Sequence, residues 1–73
     1  MSGFSEPKLI DSSMIYSVSY NEAGQLFRVV FSNRQEYEYR DFPKGKYEEF
    51  LEAPSQGKFF HSEIKNKFEF TKL

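Results

Sequence analysis

Seventy-three residues, 8.7 kDa, no cysteine and a formal charge of -1 leave room for one small domain and exclude a disulfide framework or a thiolate-held zinc site. No apolar run approaches the roughly 18 residues of a membrane span. Met1-Ser2-Gly3-Phe4 lacks the basic start and apolar stretch of a secretory signal, so a cytoplasmic location without membrane contact is expected.

Residues 1–11 mix Ser, Gly, Glu, Pro and Lys with scattered apolar positions and read as a flexible N-terminal arm, leaving 12–73 as a single domain. Over Met14–Tyr20 a period of two places Tyr16, Val18 and Tyr20 on one strand face and Ile15, Ser17 and Ser19 on the other. Asn21-Glu22-Ala23-Gly24 supplies a turn, with Gly24 available for a positive φ, and Gln25–Phe31 continues as a second strand. Asn33-Arg34 turns again into Gln35–Arg40, where Tyr37 and Tyr39 alternate with Glu36, Glu38 and Arg40. Such short connections permit only antiparallel neighbours, because parallel strands need crossovers of a dozen or more residues.

The period changes after Phe42-Pro43: Tyr47, Phe50 and Leu51 recur at helical spacing while Glu48, Glu49 and Glu52 form a solvent face. Ala53-Pro54-Ser55-Gln56-Gly57 ends this helix. Phe60 and Ile64, with Phe68 beyond, suit a second short helix over about Lys58–Asn66, and Phe68–Thr71 alternates as a C-terminal edge strand. The expected architecture is α+β: a three-stranded antiparallel meander packed on two short C-terminal helices, with an extra edge strand. A chain this short buries only about 60% of the surface its unfolded form exposes. Its nine phenylalanines and five tyrosines are therefore first of all core material, with Tyr37, Tyr39 and Phe59 as candidates for surplus.

The succession Ser12-Ser13-x-Ile15, Tyr37-x-Tyr39, Pro43, Tyr47, Leu51, Ala53, Ser55-x-Gly57-Lys58-Phe59-Phe60 and Ile64 resembles the KTSC domain family over about residues 12–70. The resemblance implies a bacterial module of roughly 60 residues, found at the C-terminus of some lysyl-tRNA synthetases and as stand-alone proteins. It implies no established activity, and an association with RNA through the synthetase. His61 stands where the family pattern tends to carry asparagine.

Three features bear on function. Tyr37 and Tyr39 share a strand face, the arrangement on which single-stranded bases stack, and Arg28 on the neighbouring strand is a candidate phosphate contact. The plainer alternative is that both tyrosines cover the helices. Ser55-Gln56-Gly57-Lys58 precedes a helix, where free N–H groups attract an anion, and Lys58, His61 and Lys65 at i, i+3 and i+7 would extend that field along one face, with Lys67 beyond. Here the alternative is capping for Ser55, turn geometry for Gly57 and a solvated face for the lysines. A Walker A motif needs a longer glycine-bounded loop and a Lys-Ser/Thr pair, which are absent.

His61 is the only histidine. With no second histidine or cysteine to partner it, no catalytic residue, metal site or cofactor is expected. Charge divides unevenly: from Ala53 onward four lysines meet two glutamates, while the preceding residues are net acidic. The expectation is a non-catalytic module that binds RNA or single-stranded nucleic acid through its basic C-terminal third. A protein-interaction module using an open strand edge or a surplus aromatic patch is the alternative.

Overall fold

The computed structural model describes residues 3–73. Strands β1 (Lys8–Leu9), β2 (Ile15–Asn21), β3 (Leu26–Phe31) and β4 (Glu36–Tyr39) come first. Helix α1 (Lys44–Glu52) follows, then α2 (Gln56–Phe59), which runs directly into a π-helical turn at Phe60–Ile64, and finally β5 (Phe70–Lys72). The strands form one antiparallel sheet in chain order. No helix among the described residues is long and apolar enough to cross a membrane.

The α+β class and the central meander are as the patterning predicts, and β5 is the expected edge strand, running Phe70–Lys72 rather than Phe68–Thr71, with Phe68 packed on Phe42 instead. The fifth strand comes from the segment read as an arm. Lys8 and Leu9 lie opposite Val18 and Ser17. Ser5 N–H donates to the Tyr20 carbonyl at 2.8 Å, and Tyr20 N–H donates back to Ser5 Oγ at 3.1 Å. The segment is held by backbone pairing while most of its side chains stay exposed, so composition gives no sign of it.

Strand β2 corrects the simple period-two reading. A β-bulge between Ile15 and Ser17 slips the register by one residue. Ile15, not Tyr16, therefore joins Val18 and Tyr20 on the core face, and Tyr16 is left 59% exposed. The first turn also differs from expectation. The positive φ falls on Gln25 (52°) rather than Gly24, and a Cβ at residue 24 would lie 3.3 Å from the Leu26 side chain. In the second turn Arg34 takes the left-handed conformation at 72°, with Asn33 Oδ1 accepting from Gln35 N–H.

The core is mostly aromatic and centres on Phe27. Its ring stacks on Phe42 at 4.5 Å and meets the edge of Phe50 at 5.4 Å. Tyr20 stacks on Tyr47 of α1 at 4.8 Å and donates its hydroxyl to the Phe42 carbonyl. From the C-terminal side Phe60 and Ile64 enter the same cluster. The second helical stretch starts and ends two residues earlier than the expected Lys58–Asn66. Ser55 caps it, and the π turn keeps both Phe60 and Ile64 pointing inward. Leu51 of α1 is only half-buried. Phe59 is partly buried against Phe50, with the Lys46 ammonium 5.7 Å from its ring centre, so it is not surplus.

Tyr39 is a core residue, 3% exposed and edge-on to Phe60. Burial, with the neighbouring Tyr37 adding to it, pushes its hydroxyl from 10.0 up to about 12. A raised folded-state value means the folded chain holds its proton more tightly than the unfolded chain. That stabilisation is complete below pH 10 and is lost as the pH climbs towards 12.

Two measurements follow. In urea denaturation at neutral pH, Phe27→Ala should cost about 3–5 kcal/mol while Tyr16→Ala stays within about 0.5 kcal/mol. A large loss at Tyr16 would show that the bulge is misplaced. Between pH 10 and about 12, stability should fall by up to about 1.4 kcal/mol per pH unit for this one group, and the slope should be shallower in Tyr39→Phe, which has no proton to lose.

Candidate functional site

Beyond the core, the end of the sheet nearest the β3–β4 turn opens into a groove of about 500 Å3 beside the π turn. Its floor is Phe31, Tyr37, Tyr39, Phe60 and Phe70 with Met14. Its rim carries Ser32, Asn33 and Gln35 from the β3–β4 turn, and His61, Lys65 and Asn66 from the other side. Tyr37 is the most engaged of the floor rings. It stacks on Phe70 at 5.2 Å, lies edge-on to Phe31 at 5.4 Å, and remains half-buried. The two tyrosines of Tyr37-Glu38-Tyr39 differ in burial: Tyr39 is packed into the core at the base of the groove, while Tyr37 is half-buried along it.

Arg28 does not join them. It pairs with Glu38 across β3 and β4, and therefore lies on the opposite sheet face from Tyr37 and Tyr39. There its Nη2 donates to Glu38 Oε2 at 2.7 Å, and its guanidinium lies 4.1 Å from the centre of the Phe4 ring. Ser17 and Ser19 are buried on this same face, Ser19 directly opposite Arg28. Engaged by a carboxylate and a ring, the Arg28 side chain is a structural tie across the outer face, away from Tyr37 and Tyr39.

The Ser55–Lys58 segment opens onto a second, more polar cleft of about 670 Å3, lined on its other wall by Asp11, Ser12 and Ser13. Both walls are capped turns. Ser55 Oγ accepts from Lys58 N–H at 3.4 Å. Ser12 Oγ accepts from Met14 N–H at 3.1 Å and Ile15 N–H at 3.3 Å. Gly57 lets the walls approach: a Cβ there would lie 3.3 Å from Ser12 Oγ. Capping is thus the observed role of Ser55, and close approach that of Gly57.

The expected stripe of Lys58, His61 and Lys65 is split. Lys58 lines the polar cleft, Lys65 lies past the helix end (φ -59°, ψ 127°) on the aromatic groove, and His61 borders both. Lys67 is exposed outside either cleft. Sequence patterning missed Phe31 and Phe70 as groove residues and Ser12 and Ser13 as cleft residues. The alternation of the tail was the one available signal for Phe70; its register against Tyr39 comes only from the folded sheet.

Electrostatics sharpens the picture. The two glutamates of the C-terminal third are engaged by cations from elsewhere, Glu63 by Lys46 at 3.4 Å and Glu69 by Arg40 at 3.7 Å. Among the described residues, Lys58, Lys65, Lys67 and Lys72 take part in no ion pair. Lys72 also lies opposite Tyr37, on the groove face of the sheet. Among the described residues no group of three or more His, Asp or Glu side chains is placed to hold a metal ion.

Comparison with known proteins places this arrangement. Lysine–tRNA ligases of Nostoc punctiforme and Trichormus variabilis are each 35% identical over 63 residues, 86% of this chain and 11% of theirs. The chain spans about a tenth of the length of these curated relatives. A crystal structure of a KTSC domain protein from Yersinia pestis superposes with a TM-score of 0.91 at 28% identity, covering 96% of this chain and 97% of that one. The KTSC domain profile itself matches residues 11–68, from the first wall of the polar cleft through both helices. The chain belongs to the KTSC domain family.

Proposed function

We propose that this domain binds RNA or single-stranded nucleic acid without catalysing a reaction on it. The observation that carries the reading is the groove floored by Tyr37, Phe31 and Phe70 and bordered by the uncompensated cation of Lys65, with Lys72 opposite Tyr37 on the same sheet face. Aromatic faces stack bases regardless of sequence, and lysines free of carboxylate partners neutralise phosphates. Kinship with a segment of lysine–tRNA ligases, enzymes named for tRNA, supports the same reading. The acidic face of α1, with Glu48, Glu49 and Glu52 exposed, would repel the same ligand and confine contact to the groove side.

A second reading rests on the β5 edge. Arg40 N–H donates to the Glu69 carbonyl and Leu73 N–H to the Glu36 carbonyl, so the backbone groups of Phe70 and Lys72 point away from β4. Phe70 and Leu73 are 47% and 56% exposed there. An extended segment of a partner protein could pair along that edge.

Fluorescence anisotropy with tRNA and with single-stranded oligonucleotides at two salt concentrations tests the first reading. Weak binding that falls as salt rises is expected. Tyr37→Ala should weaken it by about 1–3 kcal/mol through lost stacking, and Lys65→Glu should weaken it and flatten the salt dependence. Absence of binding at low salt rejects the nucleic-acid reading. Retention of a protein partner in nuclease-treated lysate, lost on disruption of the β5 edge, would favour the second.

A further inference from the structure

The aromatic groove and the polar cleft are one continuous surface: Met14 and His61 line both. His61 forms the ridge between them, its ring edge-on to the groove residue Phe60 at 6.2 Å. Building on the nucleic-acid reading, we infer that the two depressions together seat a single nucleotide unit, its base on Tyr37 and its phosphate against Lys58 and the hydroxyls of Ser12 and Ser55.

The chemistry of the walls differs in the way such a ligand requires. The groove offers ring faces, with amide side chains at Asn33, Gln35 and Asn66 on its rim that suit the polar edge of a base. The cleft offers hydroxyls and a cation. Ser12 and Ser55 each use Oγ to accept backbone N–H groups, which leaves each hydroxyl proton to be donated outward, the polarity an anion needs. Lys58 is exposed and in no ion pair among the described residues. The glycine at 57 brings the two walls close enough for Ser12 and Lys58 to face one ligand. A nucleotide joins a flat heterocycle to a phosphate across a short linker, and neither half alone uses both walls.

One residue opposes this seat and makes it testable. Asp11 lines the polar cleft, exposed, opposite Lys58 in charge. Its carboxylate repels a phosphate there and has no such effect on an uncharged nucleoside in the groove.

The test is an NMR titration of the full chain with adenosine 5′-monophosphate, adenosine and inorganic phosphate. The monophosphate should shift amide resonances at Ser13 and Lys58 together with those at Phe31 and Tyr37, and should bind about two- to fivefold tighter than adenosine, the increment of a charged contact at an exposed site. Adenosine should move the groove resonances only. Lys58→Glu should reduce the monophosphate to the affinity of adenosine, while Asp11→Asn, at an exposed position where folding is not at risk, should tighten the monophosphate alone. Equal affinity of monophosphate and adenosine, shifts confined to one depression, or an Asp11→Asn variant with unchanged preference each overturns the inference. If oligonucleotides bind and lose affinity in Tyr37→Ala while the monophosphate gains nothing from its phosphate, the nucleotide seat fails and the nucleic-acid reading stands. If neither oligonucleotide nor nucleotide binds, both fail.

Discussion

The stack of Phe27 on Phe42, with Phe50 edge-on, is the contact on which the rest of this domain depends. A sheet of short strands and helices of nine and four residues have little intrinsic stability, because short helices are marginal in water and small domains bury a small share of their surface. Three large rings from β3, the loop after β4 and α1 converge at one point and hold sheet and helix together. Around them the remaining aromatics pack inward, with Tyr39, Tyr47 and Phe60 buried in the same cluster. The groove exists because this series runs out at the end of the sheet, where Tyr37 and Phe70 find each other instead of a helix.

Much of this was legible from periodicity. Alternation located β2, β4 and β5, a β-branched and aromatic run located β3, and the helical spacing of Tyr47 and Phe50 located α1, because these patterns reflect which side chains meet the core. What escaped was set by backbone geometry. The bulge at Ile15–Ser17 inverts the facing of Tyr16 without altering composition, and the pairing of residues 4–9 along β2 uses main-chain groups that carry no residue-specific signature. The positive φ at Gln25 sits beside a glycine that invites the wrong assignment.

The candidate site was legible in part. Residue types were read correctly as aromatic and basic, but which of them share a surface depends on register. One position of alternation separates Arg28 from Tyr37 and sends them to opposite faces. The helix ends at Ile64, so the expected stripe becomes two walls meeting at His61. Charge, by contrast, was underestimated from sequence. The net excess after Ala53 is small, yet the intervening pairings of Lys46 with Glu63 and Arg40 with Glu69 remove the compensating carboxylates and leave every lysine of that third uncompensated among the described residues.

The seam between β4 and β5 has a kinetic meaning. Every other strand pair in the sheet joins neighbours linked by a short connection, whereas β4 ends at Tyr39 and β5 begins at Phe70, with both helices between them. Closing that long segment carries an entropic cost that the hairpins do not meet, which orders this pairing after them on the folding pathway. Tyr37 and Phe70 stand on the two sides of the seam. The groove is thus among the last features to be assembled and the first to be lost when the edge of the sheet frays, so any occupant bridging those two rings would act as a clamp on the final step of folding.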